Sequence, residues 1–288
     1  MSITMIQFFA AVLSLTVIGG LFGFILSVAQ KKLHVEKDPR VEEIFEILPG
    51  ANCGACGCPG CMAYAEKIVN NNMDTNLCPV GGPETANKVA DAMGKVSGNV
   101  VRKISRVHCQ GGKFNARNKF KYEGPQTCAG AQLIDGGYRV CSYGCLGLGD
   151  CADICPFGAI HIDERKLPVV DLDKCTGCGK CEEVCPRNVI SLVPRGKDVY
   201  VMCRNREKGP LMKQGCSAGC IGCKLCETKA CKIVFQNNTD VESAIKVDNF
   251  IAEIDYSVCI DCGKCASVCP QKVIFYPEKT DSGILEKE

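Results

Sequence analysis

The chain has 288 residues, of which 25 are Cys and 30 Gly, and it has no Trp. Its 34 Lys and Arg against 32 Asp and Glu leave a formal net charge of +2, and no arginine-rich or aromatic-interleaved stretch supplies a nucleic-acid footprint. At 46% hydrophobic it is no disordered chain, and an odd number of cysteines crowded two residues apart argues against a secreted disulfide framework.

The first 30 residues carry no charged side chain, and Ile6 to Val28 is nearly all apolar. Such a run spans a hydrocarbon core of about 30 Å as a helix. Ser27-Val28-Ala29 has the small residues of a signal-peptide cleavage site, but the run lacks a basic leader and is longer than a signal core. The segment 1–30 is therefore expected to be a retained transmembrane anchor. Gly19, Gly20 and Gly23 would admit a neighbouring helix. Lys31 and Lys32 flank the far end while no basic residue precedes the span, which places the body on the cytoplasmic side of the cell membrane.

Residues 31–106 are expected to form an N-terminal cluster domain. Asp38-Pro39 ahead of Val41, Ile44, Phe45 and Leu48 predicts a capped helix that stops at Pro49-Gly50. A glycine-rich loop follows with Cys53, Cys56, Cys58 and Cys61, then a helix over 63–69, and then Cys78-Pro79. Thr85 to Val101 is expected to be a further helix. A loop of this kind wraps a cubane and points amide N–H groups at its sulfurs; Cys53, Cys56, Cys61 and Cys78 are the expected ligands and Cys58 a bystander.

From about Val107 the chain repeats, with expected units 107–200 and 201–288. Cys128 and Cys141 are 13 apart and followed by Cys145; Cys203 and Cys216 are 13 apart and followed by Cys220. One copy continues through Cys151 and Cys155-Pro156, the other through Cys223, Cys226 and Cys231. Each closes on a regular C-x2-C-x2-C-x3-C-P run: Cys175, Cys178, Cys181, Cys185 in the first copy and Cys259, Cys262, Cys265, Cys269 in the second. Short alternating segments at 159–162, 169–172, 189–192, 232–235, 251–254 and 273–276 predict edge strands rather than a large sheet.

This run is the bacterial ferredoxin spacing, in which three close thiolates hold one 4Fe–4S cubane and the fourth cysteine crosses to the partner cluster. Tetrahedral zinc needs paired CxxC motifs instead. Crossing gives four further ligand sets: Cys141, Cys145, Cys151 with Cys185; Cys175, Cys178, Cys181 with Cys155; Cys220, Cys223, Cys226 with Cys269; and Cys259, Cys262, Cys265 with Cys231. Two departures stand out: the first copy has x3 and x5 where x2 and x2 belong, which leaves Cys128 an alternative to Cys141, and Lys232 replaces the proline after Cys231. Five clusters are expected. Cys109, Cys128, Cys203 and Cys216 either hold a sixth or are plain buried thiols. His34, His108 and His161 read as non-ligands. No dinucleotide fingerprint, Walker loop or nucleophile–base pair is visible, so no residue is assigned a catalytic role and no NAD or flavin site is expected on this chain.

An uncharged helix, then LPGANCGACGCPGC with Cys78-Pro79-Val80-Gly81-Gly82, then VHCQGG, CSYGCLGLGDCADICPFGAI and paired ferredoxin runs together resemble the B subunit of the Rnf electron-transport complex over nearly the whole chain. The resemblance implies an α+β chain of small iron–sulfur modules: one anchor, a four-cysteine 4Fe–4S domain and tandem ferredoxin domains. It further implies a component of an ion-translocating ferredoxin:NAD⁺ oxidoreductase, a translocase moving Na⁺ or H⁺. Its partners would be reduced ferredoxin and the membrane, flavin-binding and NAD-binding subunits. A membrane-anchored polyferredoxin serving a hydrogenase or another oxidoreductase shares every motif.

Overall fold

An uncharged apolar run satisfies its backbone most simply as one helix, and in the computed structural model α1 runs Ile3–Lys32. The structure describes residues 3–32, 38–231, 243–277, 279–280 and 283–284. Within α1, the 24 residues Gln7–Gln30 have a mean hydropathy of 2.3 and are long and apolar enough to cross a membrane. Ser14 Oγ donates to Ala11 O at 2.9 Å and Thr16 Oγ1 to Leu13 O at 2.9 Å, so neither hydroxyl meets lipid as a bare donor.

The N-terminal domain is a bundle of α2 (Pro39–Ile47), α3 (Cys61–Asn71) and α4 (Gly82–Ala92). Asp38 caps α2, its carboxylate accepting the Arg40 amide at 3.0 Å. Val41, Ile44, Leu48, Ile68 and Val89 close a small core around Tyr64, with Cys58, Cys61 and Cys78 at its margin. The helix expected over 85–101 instead ends at Ala92, and 95–102 has no regular element. The cause is Gly94, in the left-handed region at φ 64°: its amide donates to Asp91 O and that of Lys95 to Ala90 O, a Schellman stop.

The rest of the chain is two units built alike. The first contains β1 (Lys103–Val107), α5 (Gly112–Asn115), α6 (Cys128–Leu133), α7 (Asp150–Asp153), β2 (Ile160–Ile162), β3 (Pro168–Val170), α8 (Lys180–Glu183) and β4 (Ile190–Pro194). The second contains β5 (Tyr200–Val201), α9 (Gly209–Gly215), a π-turn at Cys226–Ala230, β6 (Ile245–Asp248), β7 (Ile251–Ile254), α10 (Lys264–Ser267) and β8 (Ile274–Phe275). A last pair, β9 (Lys279–Thr280) and β10 (Gly283–Ile284), follows.

Every sheet among the described residues is a two-stranded antiparallel ribbon. In each unit the entering strand pairs with the strand after the final Cys-Pro, β1 with β4 and β5 with β8, and the middle strands form a hairpin, β2 with β3 and β6 with β7. The pairing Val107↔Ile190 to Lys103↔Pro194 places 103–106 with the first unit, ahead of the boundary expected at 107. Strands β1, β5 and β6 were not expected from the sequence, and the segment expected at 232–235 lies outside the described residues. The apolar side chains are few and wrap thiols: Ile160, Leu167, Val189 and Ile190 around Cys145, Cys151 and Cys181, and Val199, Ile245, Val273 and Ile274 around Cys220, Cys226 and Cys265.

Tyr64, 1% exposed, donates its hydroxyl to Asp74 O at 2.8 Å and accepts from the Leu77 amide at 3.1 Å, so one phenol holds the loop that delivers Cys78. Tyr64→Phe should cost about 1–3 kcal/mol by leaving both backbone groups unpaired. The measurement is iron release from the full chain against urea, expected to move to lower denaturant; an unchanged curve would show that the hydroxyl holds nothing.

Candidate metal centres

In the glycine-rich loop, Asn52 adopts φ 47° and its Oδ1 accepts the Cys61 amide at 2.8 Å, fixing the start of α3. Cys78 Sγ accepts the Gly81 amide at 3.4 Å. Burial pushes the Cys78 thiol up, and the nearby Cys53 and Cys61 add to the effect. Burial likewise raises Cys56, which feels Cys58 and Cys78. Cys53, Cys56 and Cys61 thus all lie near Cys78. Cys58 is 2% exposed and packs in the core with its sulfur 3.9 Å from Met73 Sδ.

In both units the third thiol of a run sits in a short helix whose preceding glycine is left-handed: Gly149 before α7, Gly179 before α8 and Gly263 before α10. That turn lets one strand of chain present Cys151 to one side and Cys155 to the other. Cys178, raised first by burial, lies near Cys53 and Cys155, and Cys181 lies near Cys175 and Cys178. Ser105 on β1 donates its amide to Cys175 Sγ at 3.4 Å, and its hydroxyl lies 3.1 Å from Cys181 Sγ. In the second unit Cys226, pushed up to about 12 by burial, neighbours Cys220, Cys223 and Cys269. Cys231, Cys259, Cys262 and Cys265 line one cavity. The spacing Cys226-x4-Cys231, one residue longer than the x3 elsewhere, is absorbed by the π-turn, closed by the Cys231 amide on Cys226 O at 3.1 Å.

One exchange separates the spatial groups from the spacing expectation. Cys128, Cys145, Cys151 and Cys185 line a common cavity, whereas Cys141 lines another with Cys109, Cys203 and Cys216. Cys151, held at about 12 by burial, has Cys128 and Cys185 as its next neighbours. The physical reason lies in the spacing itself. The x5 gap from Cys145 to Cys151 is the regular x2-x2 run with Leu148 in the middle cysteine's place. Cys128 comes from the preceding segment to that spot, where it receives the Leu148 and Asp150 amides. Asp150 returns the contact: its carboxylate caps α6, accepting the Cys128 amide at 2.7 Å and the Ala129 amide at 3.0 Å.

The 13-residue offset is likewise not the structural equivalence. Cys203 corresponds to Cys109, with which it forms an antiparallel bridge, rather than to Cys128. Each sits just after the entering strand of its unit, and each sulfur accepts the amide of the cysteine that opens the next run, Cys145 to Cys109 and Cys220 to Cys203, both at 3.3 Å.

Among the described residues no group of three or more His, Cys, Asp or Glu side chains converges on a single ion position. Loose four-thiol groups suit a cubane, in which each thiolate binds a different iron, better than a tetrahedral ion. His108 Nδ1 lies 2.5 Å from Val201 O and Nε2 2.6 Å from Ser191 Oγ, and burial lowers its pKa to about 4. Both ring nitrogens are occupied, so His108 ties β4 to β5. His161 is exposed on β2, and His34 lies outside the described residues.

Comparison with known proteins bears on these groups. Residues 48–80 match a family model for an Fe-S cluster, and residues 168–191 and 252–275 match the 4Fe-4S binding domain. The chain is 44% identical over 261 residues to the B subunit of the Na(+)-translocating ferredoxin:NAD(+) oxidoreductase complex of Acetobacterium woodii, covering 90% of this chain and 75% of the relative. It is 39% identical to the B subunit of the ion-translocating oxidoreductase complex of Methanosarcina acetivorans, covering 91% and 96%. It is also 39% identical to the B subunit of the proton-translocating ferredoxin:NAD(+) oxidoreductase complex of Clostridium ljungdahlii, covering 90% and 89%.

Asp150→Ala removes the anchor of Cys128 while leaving every thiol in place. Iron analysis should fall by about four irons per chain, one cubane's worth; full iron content would show that Cys128 finds its place without the carboxylate.

Proposed function

The chain belongs to the B-subunit family of Rnf ion-translocating oxidoreductase complexes, and we propose that it is the electron-receiving component, taking electrons from reduced ferredoxin and delivering them toward membrane, flavin-binding and NAD-binding partners while the complex moves an ion. It is an iron–sulfur protein with ferredoxin domains and an N-terminal helix long and apolar enough to cross a membrane. The Lys31-Lys32 flank supports a cytoplasmic body. One relative is named for Na⁺ and another for protons, so the coupling ion is not carried by the family name.

Five thiol sets are assigned: Cys53, Cys56, Cys61, Cys78; Cys155, Cys175, Cys178, Cys181; Cys128, Cys145, Cys151, Cys185; Cys220, Cys223, Cys226, Cys269; and Cys231, Cys259, Cys262, Cys265. Each would hold a 4Fe–4S cluster, which exchanges one electron at a time.

The observation that carries the reading is the order of these sets in space. Cys53 neighbours Cys178, Cys151 neighbours Cys181, and Cys226 neighbours Cys265, so sets of the same or adjoining domains abut. Cys109 and Cys203, which touch the Cys145 and Cys220 amides, stand where the two units meet. One end of this row is the domain joined to α1. At the other, Cys223 and Cys262 are exposed, whereas the remaining cysteines are buried or half-buried. Exposed Lys224 and Lys264 flank those two thiols, offering positive charge to an acidic ferredoxin.

Two measurements test this. Replacing Lys224 and Lys264 together by Glu should slow reduction of the full chain by reduced ferredoxin about tenfold at low salt, with the difference shrinking as salt rises toward a Debye length of about 8 Å. An equal rate at every ionic strength would move the docking face elsewhere. Cys185→Ala should damage the cluster of Cys128, Cys145 and Cys151 and spare that of its own run, seen as loss of one electron-paramagnetic signal and about four irons; loss of the Cys175 run's cluster instead would refute the crossing.

A further inference from the structure

We propose that Cys109, Cys141, Cys203 and Cys216 hold a further 4Fe–4S cluster at the junction of the two ferredoxin-like units. None of the matched family segments, 48–80, 168–191 and 252–275, contains any of these four residues. The inference rests on the reading that the other thiol sets hold cubanes.

The four thiols line one cavity. Two come from each unit, and they are paired by the duplication: Cys109 with Cys203, and Cys141 with Cys216. The hydrogen bonds repeat the pairing. Cys109 Sγ accepts the Gly111 amide at 3.4 Å and Cys203 Sγ the Asn205 amide at 3.5 Å, each from two residues on. Cys141 and Cys216 receive the amides of Tyr143 and Ala218, again two residues on. The Cys145 and Cys220 amides add one donor each to Cys109 and Cys203. Amides directed at all four sulfurs suit thiolates bound to a cluster, since a neutral thiol accepts weakly and gains little from them.

The space fits the group as well. A Cβ at Gly111 would lie 3.5 Å from both Cys109 Sγ and Cys216 Sγ and 3.1 Å from Ala116 Cβ, filling ground between the ligands. Arg204 stands in the cavity wall and no carboxylate does, which favours a site with net negative charge.

The backbone around the cavity is locked across the units. Cys109 bridges Cys203 and Ala116 bridges Cys216. The Arg117 amide donates to Gly215 O at 2.9 Å, and the Ser217 amide to Asn115 O at 2.9 Å. Four thiols left over by chance, two buried and two half-buried, have no reason to meet on this seam, two from each copy with matching donors. The alternative of four packed, unliganded thiols leaves those donors without a purpose. Placed between Cys145 and Cys220, the set closes the gap in the row of the other sets.

The test is iron and sulfide content of anaerobically reconstituted full-length protein, supported by a nested set of variants. Wild type should carry about 24 irons and as many sulfides, six cubanes of four; about 20 overturns the proposal. The double variant Cys203→Ser with Cys216→Ser should carry about 20 and lack one paramagnetic signal. Adding Cys141→Ser to that background should leave the count at about 20, because its cluster is already gone, whereas adding Cys128→Ser should lower it to about 16. The reverse pattern would return Cys141 to the Cys145 set and sink the ligand assignment. If the variants do not fold, anomalous scattering of iron from wild-type crystals decides the matter. A centre enclosed by these four sulfurs is expected, and its absence with five other centres present overturns this inference alone. Absence of iron at all the thiol sets would instead overturn the underlying reading.

Discussion

A thiolate buried without a compensating cation is unstable, and the placement of this chain's thiols depends on that constraint. Burial drives Cys141 to about 11 and Cys151, Cys203, Cys226 and Cys265 to about 12, so the protein matrix by itself favours the protonated thiol. Metal reverses that preference and releases the protons. The ordinary sources of stability are correspondingly thin. No sheet among the described residues exceeds two strands, and four-residue helices surround the thiols. Two-stranded ribbons of this size are marginal by themselves. Ligation must therefore supply much of the folding free energy of the two repeated units, while the N-terminal domain, with three longer helices and Tyr64 at its centre, has an apolar core of its own.

The duplication explains how such units are joined. Each has an outer ribbon that brackets its two cysteine runs and an inner hairpin that separates them. The two outer ribbons meet where β4 and β5 lie close, tied by His108 between Ser191 and Val201. Arg106 crosses the same seam. It is 8% exposed, donates to Lys197 O at 3.4 Å and stacks 4.9 Å from the Tyr200 ring centroid. A neutral imidazole and a buried guanidinium thus connect the copies by fixed polar contacts rather than by a broad apolar face, which a chain with so few large side chains could not form.

Much of this was legible in the sequence, because spacing is what thiol ligation demands. The Asp38 cap, the long apolar N-terminal helix and the two-stranded character of the ferredoxin units all follow from local chemistry. What was not legible came from tertiary substitution. Leu148 stands in for a cysteine whose replacement, Cys128, arrives from 20 residues earlier in the chain; a reading that follows only consecutive cysteines selects Cys141 instead. The 13-residue offset misled in the same way, since the real counterpart of Cys203 is separated from Cys141 by an insertion carrying α5 and α6. The helix expected to reach Val101 was cut by a single glycine, whose left-handed turn overrides the apolar periodicity beyond it.

The crossing of fourth thiols has a mechanical consequence for a protein whose work is electron transfer. Cys151 and Cys155, joined through α7, belong to adjacent groups, as do Cys181 and Cys185 through α8; the same holds for Cys226 and Cys231 across the π-turn. Neighbouring groups are therefore covalently linked through less than two turns of chain, and their separation cannot vary without unwinding a helix. Between units the chain runs 18 residues from Cys185 to Cys203, although Cys141 and Cys145, and Cys216 and Cys220, stand four residues apart on the two sides of the junction. There the separation is set also by the Cys109↔Cys203 bridge and by the amides of Cys145 and Cys220 on those two sulfurs. Electron transfer needs fixed distances more than it needs a large fold, and this architecture provides them first by sequence proximity and then, at the junction of its units, by hydrogen bonds to sulfur as well.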